Sequence, residues 1–198
     1  MNKIQKHQRN DLKKKIQHSV ELKLSLEKLS SKIFKSIETI SKSLKNNKKI
    51  FFCGNGGSSA DAQHLAAELL IRLRPNVNRK SLPAISLALD TSTMTACGND
   101  YKFDYIFSRP LEGLGNKGDI LVAISTSGNS KNIINVLKTA KAKGLKTIGF
   151  LGNKGGKAKK YCDIDLVVPS SVTARIQECH IFLGHYILEK TENRLFQK

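Results

Sequence analysis

The sequence predicts an α/β fold, a parallel-sheet αβα sandwich preceded by additional N-terminal helices. Strand-length apolar stretches alternate with helix-length amphipathic ones from Ile50 onward. The strand stretches are apolar throughout, as in parallel strands covered on both faces. Two loops, one rich in glycine and one in serine, each follow a strand and open a helix. Ligands of such sheets sit at that edge.

Composition bounds the class. With 198 residues and 39% apolar content, the chain is large enough for one domain, residues 1–198, with a sizeable core. No apolar run is long enough to span a bilayer. The start, MNKIQKHQRNDLKKK, is charged and lacks the apolar segment of a secretory signal. Four cysteines, Cys53, Cys97, Cys162 and Cys179, show no CxxC spacing, which favours reduced thiols in a cytoplasmic protein. The net charge of +18 would suit an anionic ligand. The lysines are spread over helix surfaces without interleaved aromatics, so no specific nucleic-acid partner and no membrane partner is expected.

Residues 1–50 carry a net charge of +10. Leu22, Leu26, Leu29, Ile33, Ile37, Ile40 and Leu44 recur at helical spacing, and Leu12-Ile16-Val20 precedes them. Neither helix carries a chemical motif. Residues 1–47 are therefore expected to be a helical extension used in oligomerisation.

The organising stretch is Lys49–Ile71. Ile50-Phe51-Phe52 is a buried strand, Cys53 to Ser59 a glycine-rich turn, and a helix begins near Ser58 or Ser59. Its first N–H groups form an anion site. His64 and Glu68, at i and i+4, share one face of that helix. Such a pair could hold a metal or move protons. Asp61, in the first turn, is read either as a helix-capping acid or as a sugar contact.

Arg72–Ser81 reads as a polar loop and Pro83–Leu89 as the second strand. Asp90-Thr91-Ser92 is an N-cap, and its helix is expected to stop at Gly98. A helix over Phe103–Leu114 is interrupted by Pro110. Ile120–Ile124 is the third strand, and Ser125–Ser130 crowds hydroxyls before a helix from Ile133 to Ala142. Two such loops in one chain point to a phosphorylated ligand. Neither loop is a P-loop or a GxGxxG fingerprint. Lys146–Leu151 is the fourth strand, a lysine-rich helix follows Gly155-Gly156, and Ile164–Val168 is the fifth strand. Val172–Phe196 is one long helix. Gln177 and His185 lie roughly 80° apart around it and can flank one site, while His180 turns away.

The segments CGNGGSSADAQHLAAEL, ACGNDYKFDYIFSR, GDILVAISTSGNS and TARIQECH resemble the phosphoheptose isomerase family of the sugar-isomerase (SIS) fold. The resemblance implies isomerisation of sedoheptulose 7-phosphate to D-glycero-D-manno-heptose 7-phosphate. That reaction opens nucleotide-activated heptose synthesis for bacterial surface polysaccharide. It also implies a homotetramer with sites between subunits and one zinc ion per subunit. Carried over by motif, the zinc ligands are His64, Glu68, Gln177 and His185. Substrate contacts fall on Asn55, Gly56, Gly57, Glu68, Asn99, Asp100, Ser125, Thr126, Ser127, Ser130 and Gln177. Glu68 and His185 are the proton-moving pair. Ala174 stands where some members carry an aspartate, so no role transfers to that position. The alternative is a non-catalytic SIS protein that binds a DNA-replication initiator. That branch tends to lack proton-transfer residues at the places that Glu68 and His185 hold here.

Overall fold

A computed structural model describes residues 2–196. Five strands form one sheet: β1 (Ile50–Gly54), β2 (Ala84–Ser86), β3 (Ile120–Ser125), β4 (Lys146–Gly152) and β5 (Ile164–Val168). All pairs are parallel, in the order β2-β1-β3-β4-β5. The helices are α1 (Lys3–Ser25), α2 (Ser30–Lys45), α3 (Gly57–Leu70), α4 (Thr91–Asp100), α5 (Ser108–Leu114), α6 (Lys131–Ala142) and α7 (Thr173–Phe196). The strand order reverses between β1 and β3, and such a switch point opens a crevice beyond the strand ends.

Side-chain alternation along the strands fills two apolar layers. Ile50, Phe52, Val122, Ile124 and Phe150 pack against residues of α2, α3 and α7, such as Ile37, Leu65 and Leu183. Phe51, Cys53, Leu121 and Ala123 face the other way, toward Leu111 of α5 and Ile133 and Leu137 of α6. Both faces are covered, which explains why the strands read as unbroken apolar runs. Each fully buried Phe, Leu or Ile contributes roughly 1.5–3 kcal/mol.

The structure differs from the sequence expectation at several edges. The continuous amphipathic pattern from Leu22 to Leu44 is split by a 3-10 turn, Leu26–Leu29, in which Leu26 stays buried. The second strand is three residues long: Leu87 N still donates to the Phe52 carbonyl of β1 at 2.9 Å, and the chain then turns, with Leu89 N donating back to the Ser86 carbonyl at 3.3 Å. Gly98 does not end its helix, so Asn99 and Asp100 are its final residues. Pro110 lies within the first turn of α5, where its missing N–H costs nothing, so it does not interrupt that helix. The lysine-rich helix after Gly156 shrinks to a 3-10 turn, Lys159–Tyr161.

α1 stands largely clear of the domain. Leu12, Ile16, Val20 and Leu24 form an exposed apolar stripe at i, i+4 spacing. Ser19 Oγ donates to Glu178 on α7 at 2.9 Å and helps fix where the arm leaves the body. Among the described residues, no helix is long and apolar enough to cross a membrane.

His180 is structural, as its position on α7 predicts. It is fully buried, its ring 6.0 Å from that of Phe150, and neither ring nitrogen finds a hydrogen-bond partner among the described residues. Burial pushes its pKa from 6.5 to about 4, with the Leu151 backbone opposing. The folded chain therefore keeps this imidazole neutral, while the unfolded chain protonates it below about 6.5. Its contribution to stability is whole at pH 7 and is lost as pH falls from about 6.5 toward 4, by about 3 kcal/mol in all. Urea midpoints across that range check this. His180→Phe should flatten the profile, and a variant profile as steep as the parent's would assign the loss to other groups.

Candidate active site

The crevice at the switch point is built by the loops after β1 and β3. After β1, Gly56 adopts φ +56° at the N-cap of α3, a conformation that favours glycine. A Cβ on the next residue, Gly57, would overlap the Gln177 amide from α7. Gln177 therefore sits against the start of α3, and glycine at position 57 is what lets it approach.

After β3, the serine loop is folded on itself. Ser125 Oγ accepts from Gly128 N at 3.0 Å, and Ser127 Oγ accepts from Asn129 N at 3.1 Å. Each hydroxyl still holds its own proton to donate. None of Ser125, Thr126, Ser127 and Ser130 donates from its hydroxyl to a protein acceptor among the described residues. Ser130 stands at the N-cap of α6 without using its side chain as a cap. The loop is braced from behind. Gly128, at φ +62°, packs against Gly155, its carbonyl accepts from Ala158 N at 2.8 Å, and Asn129 Oδ1 accepts from Lys157 N at 3.0 Å. Four unspent O–H donors at a helix N-terminus make an anion cradle.

One residue that sequence reasoning missed joins the two loops. Asn55 Nδ2 donates to Asn132 Oδ1 at 2.9 Å, and Asn132 Nδ2 donates to Asn55 Oδ1 at 2.8 Å. Asn132 is buried and also receives Ile133 N at 2.9 Å. Asn55, expected at the ligand, thus has its side chain engaged in holding the α3 and α6 starts together. The sequence signal for this pair is an asparagine at the start of each loop-borne helix.

α3 and α7 carry the candidate site side chains. Contacts along them advance together: Gly57 meets Gln177, His64 meets His185, and a Cβ on Gly184 would come within 2.6 Å of Leu65. The helices therefore run side by side in the same direction, and small Gly184 lets them close up beside His185. His64 Nε2 and His185 Nε2 lie 2.7 Å apart with the rings T-shaped, so one nitrogen donates to the other. Glu68 Oε1 is 3.4 Å from His64 Nε2, and Glu68 Oε2 is buried with no hydrogen-bond partner among the described residues. Burial, then the nearby His64, holds the His185 pKa below its ordinary value, and Glu68 opposes them. Asp61 lies in the same neighbourhood. Burial raises its carboxyl pKa while His64 opposes, and its Oδ2 is buried with no hydrogen-bond partner among the described residues.

One donor atom from each of His64, Glu68 and His185 falls within 4.8 Å of the other two. Two imidazole nitrogens and a carboxylate with an unpartnered oxygen fit a divalent metal ion. Asn99 and Asp100 are not among these donor residues. They are exposed at the end of α4, where Asn99 Nδ2 donates to Asp100 at 2.8 Å. The cluster is not enclosed: the His64 side chain is 47% exposed. Grooves elsewhere include one of about 690 Å³ along α1 and one of about 480 Å³ between Leu24, Phe34, Phe182 and Tyr186.

A doubly wound sheet with a hydroxyl cradle at its switch point, and a His/Glu/His cluster on the adjoining helix pair, defines an SIS-type α/β protein. Residues 16–152 match the SIS domain family. The phosphoheptose isomerase of a Nitratiruptor species is 50% identical over 175 residues, covering 88% of this chain and 92% of the relative. That of Helicobacter pylori is 47% identical over 181 residues, covering 91% and 93%. The solved phosphoheptose isomerase from Neisseria gonorrhoeae aligns with a TM-score of 0.87 at 40% identity, covering 93% of this chain and 98% of that one. The one from Francisella tularensis gives 0.89 at 34% identity, covering 93% and 97%. The chain belongs to the phosphoheptose isomerase family and is an isomerase.

Proposed function

We propose that the chain interconverts sedoheptulose 7-phosphate and D-glycero-D-manno-heptose 7-phosphate, the entry to nucleotide-activated heptose for bacterial surface polysaccharide, and does so in the cytoplasm. The observation that carries this is the pairing of four unspent hydroxyl donors with a proton-transfer cluster on α3 and α7. Those hydroxyls suit a phosphate, and the relatives' name supplies the sugar.

Moving the carbonyl from C2 to C1 takes a proton from one carbon and returns one to its neighbour, with an enediol between. Glu68 is the base at carbon, because its unpartnered carboxylate oxygen has acceptor capacity left. His185, whose pKa burial and then His64 hold below the ordinary imidazole value, can donate or accept at the sugar oxygens. His64, Glu68, Gln177 and His185 would hold zinc, one ion per subunit. When bound, zinc supplies Lewis-acid polarisation of the two reacting oxygens. Ser125, Thr126, Ser127 and Ser130 anchor the phosphate, and Gly56 and Gly57 leave room for the sugar chain. Asn55 orders the floor of the site through Asn132.

Purified protein incubated with sedoheptulose 7-phosphate should yield an aldose heptose 7-phosphate, separable by anion-exchange chromatography. No conversion at any metal loading would reject the reading. Ser127→Ala should raise KM about tenfold with kcat changed far less, since it removes one of four phosphate donors and a net hydrogen bond to a charged group is worth about 1.5 kcal/mol. Equal falls in kcat and kcat/KM would move Ser127 from anchoring to transition-state contact.

The open cluster and the apolar stripe on α1 support a homotetramer in which residues 1–47 pack against other copies and neighbouring subunits close the site. Asn99 and Asp100, exposed on α4, then face substrate in a shared site. Light scattering on the full chain should give four copies, and Ile16→Glu with Val20→Glu should give a smaller species. A parental monomer at micromolar concentration would contradict this. The excess of positive charge is expected to give only salt-sensitive nucleic-acid binding, because no base-reading element supports more.

A further inference from the structure

The far end of the α3/α7 pair holds ionic side chains that the reaction itself does not use. Arg79, from the loop between α3 and β2, has a side chain only 1% exposed. Its Nη2 donates to the Glu68 carbonyl at 2.7 Å, and its Nη1 donates to the Leu69 carbonyl at 2.8 Å and the Lys80 carbonyl at 3.0 Å. Its Nε lies 3.6 Å from Oε1 of Glu192, whose side chain is 2% exposed. Arg74 flanks the same carboxylate, with Nε 3.7 Å from Oε2. Neither Glu192 oxygen has a hydrogen-bond partner among the described residues, so charge rather than hydrogen bonding holds it between the two arginines.

The last carbonyls of a helix have no partner within it, and they form its negative end. α3 has no basic residue in its last turn. Arg79 brings a cation to that end from outside the helix, and Glu68 lies in that turn. Glu192 is seven residues beyond His185 on α7, two turns along nearly the same face. One guanidinium thus ties the backbone of Glu68 to the helix that carries His185.

We infer that Arg79, anchored by Glu192, is a positioning residue: it fixes the last turn of α3 on α7 and so sets Glu68 and His64 against His185. Only the kinetic consequence rests on the isomerase reading, since the geometry stands without it. Lysine at position 79 would keep the charge beside Glu192 but lose the planar fork that reaches two consecutive carbonyls.

The test uses Arg79→Lys and Glu192→Gln in the full chain, with far-UV circular dichroism as the check on folding. Imidazole ¹⁵N NMR reads the pairing of His64 and His185 directly, with neither substrate nor metal needed. The parent should show the Nε2–H···Nε2 bond, and both variants should lose it while remaining folded. Cobalt(II) titration of the same proteins should show affinity falling by about 10–100-fold, and kcat should fall within the same range with KM little changed. Folded Arg79→Lys with parental ring signals would overturn the inference, even with a lowered melting temperature. Should Arg79→Lys not fold, the shape-preserving Glu192→Gln decides by the same signals. A parent that does not turn over sedoheptulose 7-phosphate would reject the proposed reaction alone, and the ring comparison would still decide the role of Arg79.

Discussion

Glu68→Gln should lower kcat by about 10²–10⁴-fold, the usual contribution of a general base, while leaving KM near the parent's. The amide keeps the shape of the carboxylate and its place 3.4 Å from His64, but has no capacity to take a proton from carbon. Substrate affinity should survive because the proposed phosphate cradle, the Ser125–Ser130 loop, does not include Glu68. Zinc content must be read on the same sample, since Glu68 is also a proposed ligand. A near-parental kcat with zinc retained would remove Glu68 from the base role.

His64→Ala is expected to have a comparably large effect through metal. Protein purified without chelator should carry about one zinc per chain, and the variant close to none. The loss of a direct ligand should exceed the roughly 10–100-fold penalty of losing a group that only orients one. The substitution also frees the His185 ring, which lies 2.7 Å from His64 Nε2, so activity should fall with the metal and zinc should not restore it. His180→Phe is the internal control. It alters a histidine on the same helix as His185 that points into the core against Phe150, and its zinc content should match the parent's. Parental zinc in His64→Ala would show that the cluster is not the metal site.

Much of this arrangement is legible in the amino-acid sequence, because its signals are local. The short apolar runs from Ile50 and Ile120, bounded by turn residues, suit central parallel strands. The glycine turn and the serine loop each announce a strand-to-helix junction. The spacing of His64 and Glu68 puts both on one face, and that of Gln177 and His185 allows one flank of a common site. The three donor atoms of His64, Glu68 and His185 do converge.

What the sequence conceals is what depends on distant partners. Arg79 lies in a stretch that looks polar and loop-like, yet its side chain is buried because Glu192, far along the chain, neutralises it. Asn132 looks like an ordinary helix-start residue, and only the neighbouring β1 loop makes it a reciprocal partner of Asn55. The break at Leu26–Leu29 is invisible because a 3-10 turn preserves the apolar spacing on either side. The second strand reads too long because Leu87 and Ala88 stay buried in the layer with α5 and α6 after the chain has begun to turn at Ser86–Leu89.

The central claim is that this site moves a proton between adjacent carbons of a sugar phosphate through Glu68. Turnover of sedoheptulose 7-phosphate in deuterium oxide, followed by NMR of the aldose product, tests it most directly. The account predicts deuterium at C2 of the product with the parent enzyme, and loss of that exchange together with turnover in zinc-loaded Glu68→Gln. Product formed with hydrogen fully retained, or solvent exchange that persists at the parental rate in Glu68→Gln, would contradict it.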